Sequence, residues 1–335
     1  MLKDSFNREL TYLRVSVTDK CNLRCRYCMP PEGVPWLDHD QVMRNEEFIY
    51  FVGLFVSMGI KKVRFTGGEP LVRKGFIDII REVKHRFPDL EVCITTNGVL
   101  LEKYLDELAL LEVSKLNISL DTLSPTLYHE ITGRDYHARV LNSIRKALDA
   151  GVFDVKINAV IQQHTLKELN SFVDYFGEEN VSLRFIERMP VGDLPVDDDP
   201  FVSSDQLIDA FSKIGKVNRA MDVDTSVAMM YDFIPGGSVN KMRVGVIPAI
   251  SHKFCNSCNR LRLTCDGALK TCLHDNSEYD LKTPFRMDSG EQVIRDLIYD
   301  AVKNKQKEHG MSCYTDTNRE CSAITSSRNM SKIGG

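Results

Sequence analysis

Six short apolar runs alternate with amphipathic stretches through the first 190 residues, and this alternation constrains the fold more than any other feature of the chain. The strand-like runs are residues 12–18, 62–66, 91–95, 115–120, 155–160 and 181–186. Between them, residues 46–58, 75–86, 100–111, 137–150 and 165–175 place apolar side chains at helical period. Strands that alternate with helices predict parallel βα units with right-handed crossovers. A doubly wound sheet and a partial TIM-type barrel both satisfy the pattern. No G-x-G-x-x-G follows a strand, which weakens the dinucleotide-binding version. Small and polar residues gather just past the strands, as TDKC, TGGEP, TTNG and SLD, so the chemistry is expected at one mouth, beyond the C-terminal strand ends.

Cys21, Cys25 and Cys28 follow the first run with the spacing C-x-x-x-C-x-x-C. Such spacing could be a buried helix stripe, but Asn22, Arg24 and Arg26 are polar and Pro30-Pro31 would stop a helix just beyond. A metal site is the better reading. A [4Fe–4S] cubane is normally held by four thiolates. Three leave one iron open to bind and activate a small molecule.

Cys255, Cys258 and Cys272 form a second set, C-x-x-C with a third cysteine after a longer gap. Structural zinc is the alternative, and it would need Cys265 or His274 as a fourth ligand. If the residues around 260–265 are a strand, Arg260, Arg262 and Thr264 share one face, and Leu261, Leu263 and Cys265 the other. Cys265 then points into a core unless a bulge re-aims it, and three thiolates with an open iron fit again. Arg14, Arg64 and Lys156 also lie inside strand-like runs. Each is either a buried ion pair or a cation aimed into a polar cavity.

The chain has 335 residues, 43% of them hydrophobic, enough for a large core. Its net charge of −4 offers no basic footprint, so nucleic acid is not an expected partner. The polar start MLKDSFNREL lacks a secretory pattern and no long apolar run suggests a membrane span, so ten cysteines read as reduced thiols and metal ligands of a cytoplasmic protein. The expected organisation is a barrel over residues 1–192, an acidic linker over 193–203, and a C-terminal module over 204–335. That module should carry a helix at 204–214, strands at 241–247 and 260–264, and a last helix at 291–305. The tail from residue 308, rich in Ser, Thr and Asn, is expected to lack regular structure.

The first cysteine set, followed about 40 residues later by Gly67-Gly68-Glu69-Pro70, resembles the radical S-adenosylmethionine (SAM) superfamily. The run from Asn259 to Thr264, then Asp266-Gly267, Cys272-Leu273 and the final Gly334-Gly335, is similar to the GTP 3′,8-cyclase family within it, and the similarity extends from Leu13 to the end. This resemblance implies an α/β fold, a partial (βα)6 TIM-type barrel with a C-terminal α+β module that carries a second Fe–S cluster. It implies a lyase that converts GTP to 3′,8-cyclo-7,8-dihydro-GTP, the first step of molybdenum cofactor biosynthesis. Two [4Fe–4S] clusters are implied, one on Cys21, Cys25 and Cys28 and one on Cys255, Cys258 and Cys272. Tyr27, Gly68, Ser119 and Met189 match SAM contacts. Arg14, Arg64, Thr95, Lys156, Arg260 and Arg262 match GTP contacts. Gly334 and Gly335 match a tail that reaches into the barrel and helps to place the substrate for reaction. As partners the resemblance implies a reducing electron donor such as flavodoxin or ferredoxin, and it allows a homodimer. Glu69 is expected to orient rather than to act as a base, and Cys93 reads as a strand-core thiol. Arg188 stands where the family would have an apolar or aromatic residue, Cys265 where it has a small one, and Cys313 and Cys321 match no family role. The rival readings are a radical SAM peptide maturase and a zinc-stabilised binding module.

Overall fold

The computed structural model describes residues 1–189, 191, 199–220, 227–309 and 328–334. Its first half is a run of βα units: β1 (Tyr12–Ser16), α1 (Asn45–Ser57), β2 (Lys62–Thr66), α2 (Phe76–Arg86), β3 (Glu91–Thr96), α3 (Leu105–Leu110), β4 (Lys115–Ser119), α4 (Pro125–Thr132), α5 (His137–Asp149), β5 (Asp154–Ile161), α6 (Gln163–Phe176) and β6 (Ser182–Glu187). There follow α7 (Ser204–Ile214), β7 (Gly215–Arg219), β8 (Met229–Pro235), β9 (Met242–Ile247), β10 (Arg260–Leu263), β11 (Ala268–Lys270), β12 (Tyr279–Asp280), α8 (Lys282–Arg286), α9 (Glu291–Lys303) and α10 (Met330–Ile333).

The helices begin where the sequence supplies caps. Ser203 accepts a hydrogen bond from the Gln206 N–H to start α7, and Ser124, followed by Pro125 at the first helical position, accepts from Leu127 N to start α4. The stretch expected as one helix over 100–111 divides instead into a 3₁₀ segment, Leu101–Tyr104, and the short α3.

All strands join one sheet in the order β12-β11-β10-β1-β2-β3-β4-β5-β6-β9-β8-β7. From β1 to β6 the order follows the chain without reversal and every neighbouring pair is parallel, so the sheet is wound one way, as in a barrel, and has no doubly wound switch point. The sheet does not stop at the sequence boundary between barrel and module. β9 pairs parallel with β6, and β10 pairs parallel with β1. Both edges of the six-stranded sheet would otherwise present unpaired N–H and C=O groups, and the C-terminal strands cover them. The antiparallel strands β11, β12, β8 and β7 complete the two flanks. This is a partial barrel, left open between its outermost strands.

Helices pack against the sheet through aromatic side chains; Phe172, Phe185, Phe211 and Phe233 form one edge-to-face series in the core. Within the tail expected to be irregular, residues 330–333 form a helical turn. Residues 193–198 of the acidic stretch, Cys313, Cys321 and Gly335 lie outside the described residues. Among the described residues no helix is long and apolar enough to cross a membrane.

Candidate active site

A cavity of about 590 Å³ is lined by both cysteine sets. Cys21 lies a few residues past the C-terminal end of β1, whereas Cys258 precedes the N-terminal end of β10. These strands are parallel neighbours, with Tyr12 opposite Arg260. The two sets therefore stand at opposite ends of the strands, separated by a strand length of roughly 16 Å. The expectation of a single dense mouth holds for the first set only. The second reaches the other end because β10 enters the sheet in parallel, so the residues before it lie under the barrel.

Around the first set, the loop from Thr18 and the glycine turn interlock. Gly68 N–H donates to Thr18 O (2.7 Å) and Glu69 N–H to Lys20 O (2.9 Å). A Cβ on Gly68 would stand 2.5 Å from Lys20 O, so this approach needs glycine. Glu69 is buried and accepts from Thr96 Oγ1 (2.7 Å), Asn97 N–H (2.7 Å) and Leu71 N–H (3.1 Å). Burial pushes its carboxyl up to about 7 against these donors. It is a strut tying the turn to β3. Tyr27 OH donates to Asp121 Oδ2 (2.7 Å), whose other oxygen accepts from Val160 N–H (2.8 Å). Ser119 and Met189, the remaining residues matched to SAM, also line this cavity.

Burial raises the Cys21 thiol to about 11 and the Cys28 thiol to about 12, and lifts Cys25 well above the ordinary range; Glu69 adds to the first shift and neighbouring thiols to the other two. Three such thiols become thiolates when a metal centre supplies positive charge beside them. A cubane held at three of its irons fits this donor set.

In the second set, burial would raise the Cys258 thiol, but the charges of Lys305 and Arg260 and hydrogen bonds from Arg260 bring it down to about 7. Cys265 is fully buried in the apolar core with Leu261 and Leu263, as the strand-face pattern predicts. His274 lines the cavity, and burial, His309, Arg262 and Arg260 push its imidazole down to about 3, so it is held neutral.

Between the two sets lie the cations. Arg262, Arg14 and Arg64 form one rung across β10, β1 and β2, and Arg260, Tyr12 and Lys62 form the next. Thr95, Asn117 and Lys156 make a third rung across β3, β4 and β5. Arg64 Nε donates to Tyr12 OH (2.6 Å), and its Nη1 to Ile94 O (3.1 Å) and Thr95 Oγ1 (3.3 Å). Burial and the repulsion of Arg64 and Arg260 bring Arg14 down to about 10, although Tyr12 opposes this; burial, Arg14 and Arg260 lower Arg262. Lys156 pairs with Asp154 (2.8 Å) at the wall. Guanidiniums held this close in a buried cavity make an anion site. Sequence reasoning missed Tyr12, Lys62, Lys115 and Arg184, which line the same cavity. The period-two spacing of Lys62 with Arg64, and of Tyr12 with Arg14, was the available signal.

The tail also reaches this site. Arg262 Nη1 donates to Gly334 O (2.5 Å). Gly334 has φ +85°, and a Cβ there would stand 2.8 Å from Thr66 Cγ2.

Comparison with known proteins agrees with this geometry. The Radical SAM superfamily profile matches residues 15–176, and the Molybdenum Cofactor Synthesis C profile matches residues 181–311. A GTP 3′,8-cyclase of Peptoclostridium acidaminophilum is 41% identical over 314 residues, covering 93% of this chain and 94% of that one. Another, from Alkaliphilus oremlandii, is 38% identical over 336 residues and 100% of both chains. Among solved structures, Streptococcus suis SuiB bound to S-adenosylmethionine shares the fold, with a TM-score of 0.62 at 14% identity over 97% of this chain and 77% of that one. The chain belongs to the GTP 3′,8-cyclase family of the radical SAM superfamily.

Proposed function

We propose that this chain is a radical SAM lyase that converts GTP to 3′,8-cyclo-7,8-dihydro-GTP, the first step of molybdenum cofactor biosynthesis. The observation that carries this reading is the cavity itself, with a three-cysteine set at each end and two rungs of cations between. Cys21, Cys25 and Cys28 would hold one [4Fe–4S] cluster, and Cys255, Cys258 and Cys272 a second. With SAM bound, the first cluster would supply the one-electron chemistry that starts the radical reaction in which C3′ of GTP becomes bonded to C8.

The protein's own part is to bind, orient and exclude water. Tyr27, Gly68, Ser119 and Met189 would receive SAM, with Glu69 and Asp121 fixing the turn and the phenol beside it. Arg14, Arg64, Lys156, Arg260 and Arg262 would meet the triphosphate and the guanine edge, and Thr95 would offer its hydroxyl. A triphosphate carries about four negative charges, which is why a chain of net charge −4 concentrates so many cations in one cavity. Gly334 and Gly335 would place the substrate from the tail, since glycine alone threads the space beside Thr66. A low-potential carrier such as flavodoxin or ferredoxin would deliver electrons in the cytoplasm, to a monomer or a homodimer.

A peptide maturase would need room for a polypeptide rather than a wall of guanidiniums, and a zinc module would need no cationic cavity. The test is anaerobic reconstitution followed by incubation with SAM, dithionite and GTP. A brown protein with about eight iron atoms per chain and a product isomeric with GTP is expected. Colourless zinc protein, or SAM cleavage with GTP unchanged, would overturn the reading.

A further inference from the structure

Two buried cations brace the second cysteine set, and only one of them is neutralised. Arg8 lies ahead of β1. Its Nη1 donates to Cys255 O (2.8 Å) and Lys307 O (2.9 Å), and its Nη2 to Gln306 O (2.6 Å). Its Nε donates to Asp4 Oδ2 (2.5 Å), and both side chains are buried. Arg8 and Asp4 are therefore an internal ion pair that holds the Cys255 backbone while bringing it no net charge.

Lys305 lies two residues past α9 and is only 4% exposed. Its Nζ donates to Thr271 O, and to Arg260 O at 3.3 Å. Thr271 directly precedes Cys272, and Arg260 follows Cys258 by two residues. One ammonium thus joins two of the three ligand segments, while Arg8 holds the third. The two carbonyls are its only hydrogen-bond partners among the described residues, and no carboxylate pairs with it there. Burying an ammonium against neutral carbonyls alone is costly unless an anion stands close by. Through Thr271 O, standard bond lengths place Nζ within about 8 Å of the Cys272 sulfur. Buried charges interact strongly over that distance, because little water screens them. A cubane held by three thiolates is anionic, and reduction adds a further negative charge.

We propose that Lys305 is a positioning residue for the second centre: its buried ammonium ties the Cys258 and Cys272 segments together and, having no carboxylate of its own, sets the reduction potential of the cluster that this set would hold. This rests on the cluster reading of Cys255, Cys258 and Cys272 and on nothing about the substrate. A fixed cation favours the reduced, more negative cluster, so its loss moves the potential to more negative values. The Asp4–Arg8 pair, which braces without net charge, is the built-in comparison.

The experiment uses the full chain, reconstituted anaerobically without nucleotide, in two backgrounds. Cys25→Ala isolates the second centre and Cys272→Ala isolates the first. In each, Lys305→Met, Lys305→Arg and the double variant Asp4→Asn/Arg8→Met are titrated potentiometrically with detection by electron paramagnetic resonance, and iron is counted on the same samples. At the second centre, Lys305→Met shifts the midpoint to more negative values with iron content unchanged. Lys305→Arg, which keeps the charge, stays closer to the parent, and removal of the Asp4–Arg8 pair shifts the midpoint less than Lys305→Met does. At the first centre the Lys305→Met shift is smaller or absent. An unmoved second centre, equal shifts at both centres, an equal shift on removing the ion pair, or loss of iron from the second set in Lys305→Met overturns the proposal. A Cys25→Ala parent that takes up no iron at the second set refutes the cluster reading itself, a result distinct from failure of the Lys305 assignment.

Discussion

Gly68→Ala tests the interlock of the two motifs at the first cysteine set. An alanine Cβ at this position would lie 2.5 Å from Lys20 O, 2.7 Å from Asp19 O and 2.7 Å from Lys20 C. All three are backbone atoms, so no side chain can swing aside. Ordinary contact begins near 3.4 Å, and the glycine turn or the loop before Cys21 must therefore retreat by about 0.9 Å. That retreat stretches the Gly68–Thr18 and Glu69–Lys20 hydrogen bonds, each worth about 1 kcal/mol net. Overpacking adds about 1–3 kcal/mol. Urea denaturation of the metal-free protein should show a loss of about 2–4 kcal/mol. Cys21 follows Lys20 directly and moves with it, and a displacement near 1 Å at a reacting centre costs roughly 100-fold in rate. Formation of 5′-deoxyadenosine should fall by about that factor. A variant whose stability stays within about 0.5 kcal/mol of wild type, with SAM cleavage intact, would refute the steric argument.

Cys272→Ala should lose about four iron atoms per chain while Cys265→Ala keeps them all, since Cys265 is packed among leucines; equal losses would make Cys265 a fourth ligand. Arg262→Ala should weaken GTP binding by about 10- to 150-fold in a calorimetric titration, the range for a lost charged hydrogen bond; an unchanged affinity removes Arg262 from the site. Glu69 predicts a pH effect on the metal-free protein. With its carboxyl pushed by burial from 4.5 to about 7, the folded chain retains a proton that the unfolded chain has lost. Stability should therefore fall as pH rises from about 4.5 to 7, by on the order of 3 kcal/mol, and stay lower above that window. Glu69→Gln should flatten this slope, and a variant that keeps it would show that another group titrates.

Much of this arrangement was legible in the sequence because local patterning carried it. Residues 62–66 and 204–214 were expected as a strand and a helix, and they form β2 and α7 with those limits. Cys265 was assigned to the core from alternation alone, and it is buried there although β10 ends two residues earlier, at Leu263. What stayed hidden depends on long-range pairing. Nothing local says that β10 lies beside β1, some 250 residues earlier, yet that pairing carries the second cysteine set to the far end of the barrel. The β7–β8 pair was missed because half-exposed edge strands such as GKVNR carry little apolar signal. Lys62 and Lys115 open their strands, where a lysine reads as solvated, and only the closed cavity shows what they face. Arg188 also lines that cavity and donates to Asp199 O (2.6 Å), an anchor that its sequence context did not suggest.

The central claim is that one cavity brings the 3′ carbon of GTP within reach of a radical made at the first cysteine set. The most direct measurement follows the hydrogen. Reconstituted enzyme is given SAM, reductant and GTP carrying deuterium at C3′, and both products are analysed by mass spectrometry. The account predicts 5′-deoxyadenosine that carries the deuterium, together with a product bonded from C3′ to C8. Cleavage of SAM that leaves the deuterium on GTP, with no label in 5′-deoxyadenosine, would contradict it.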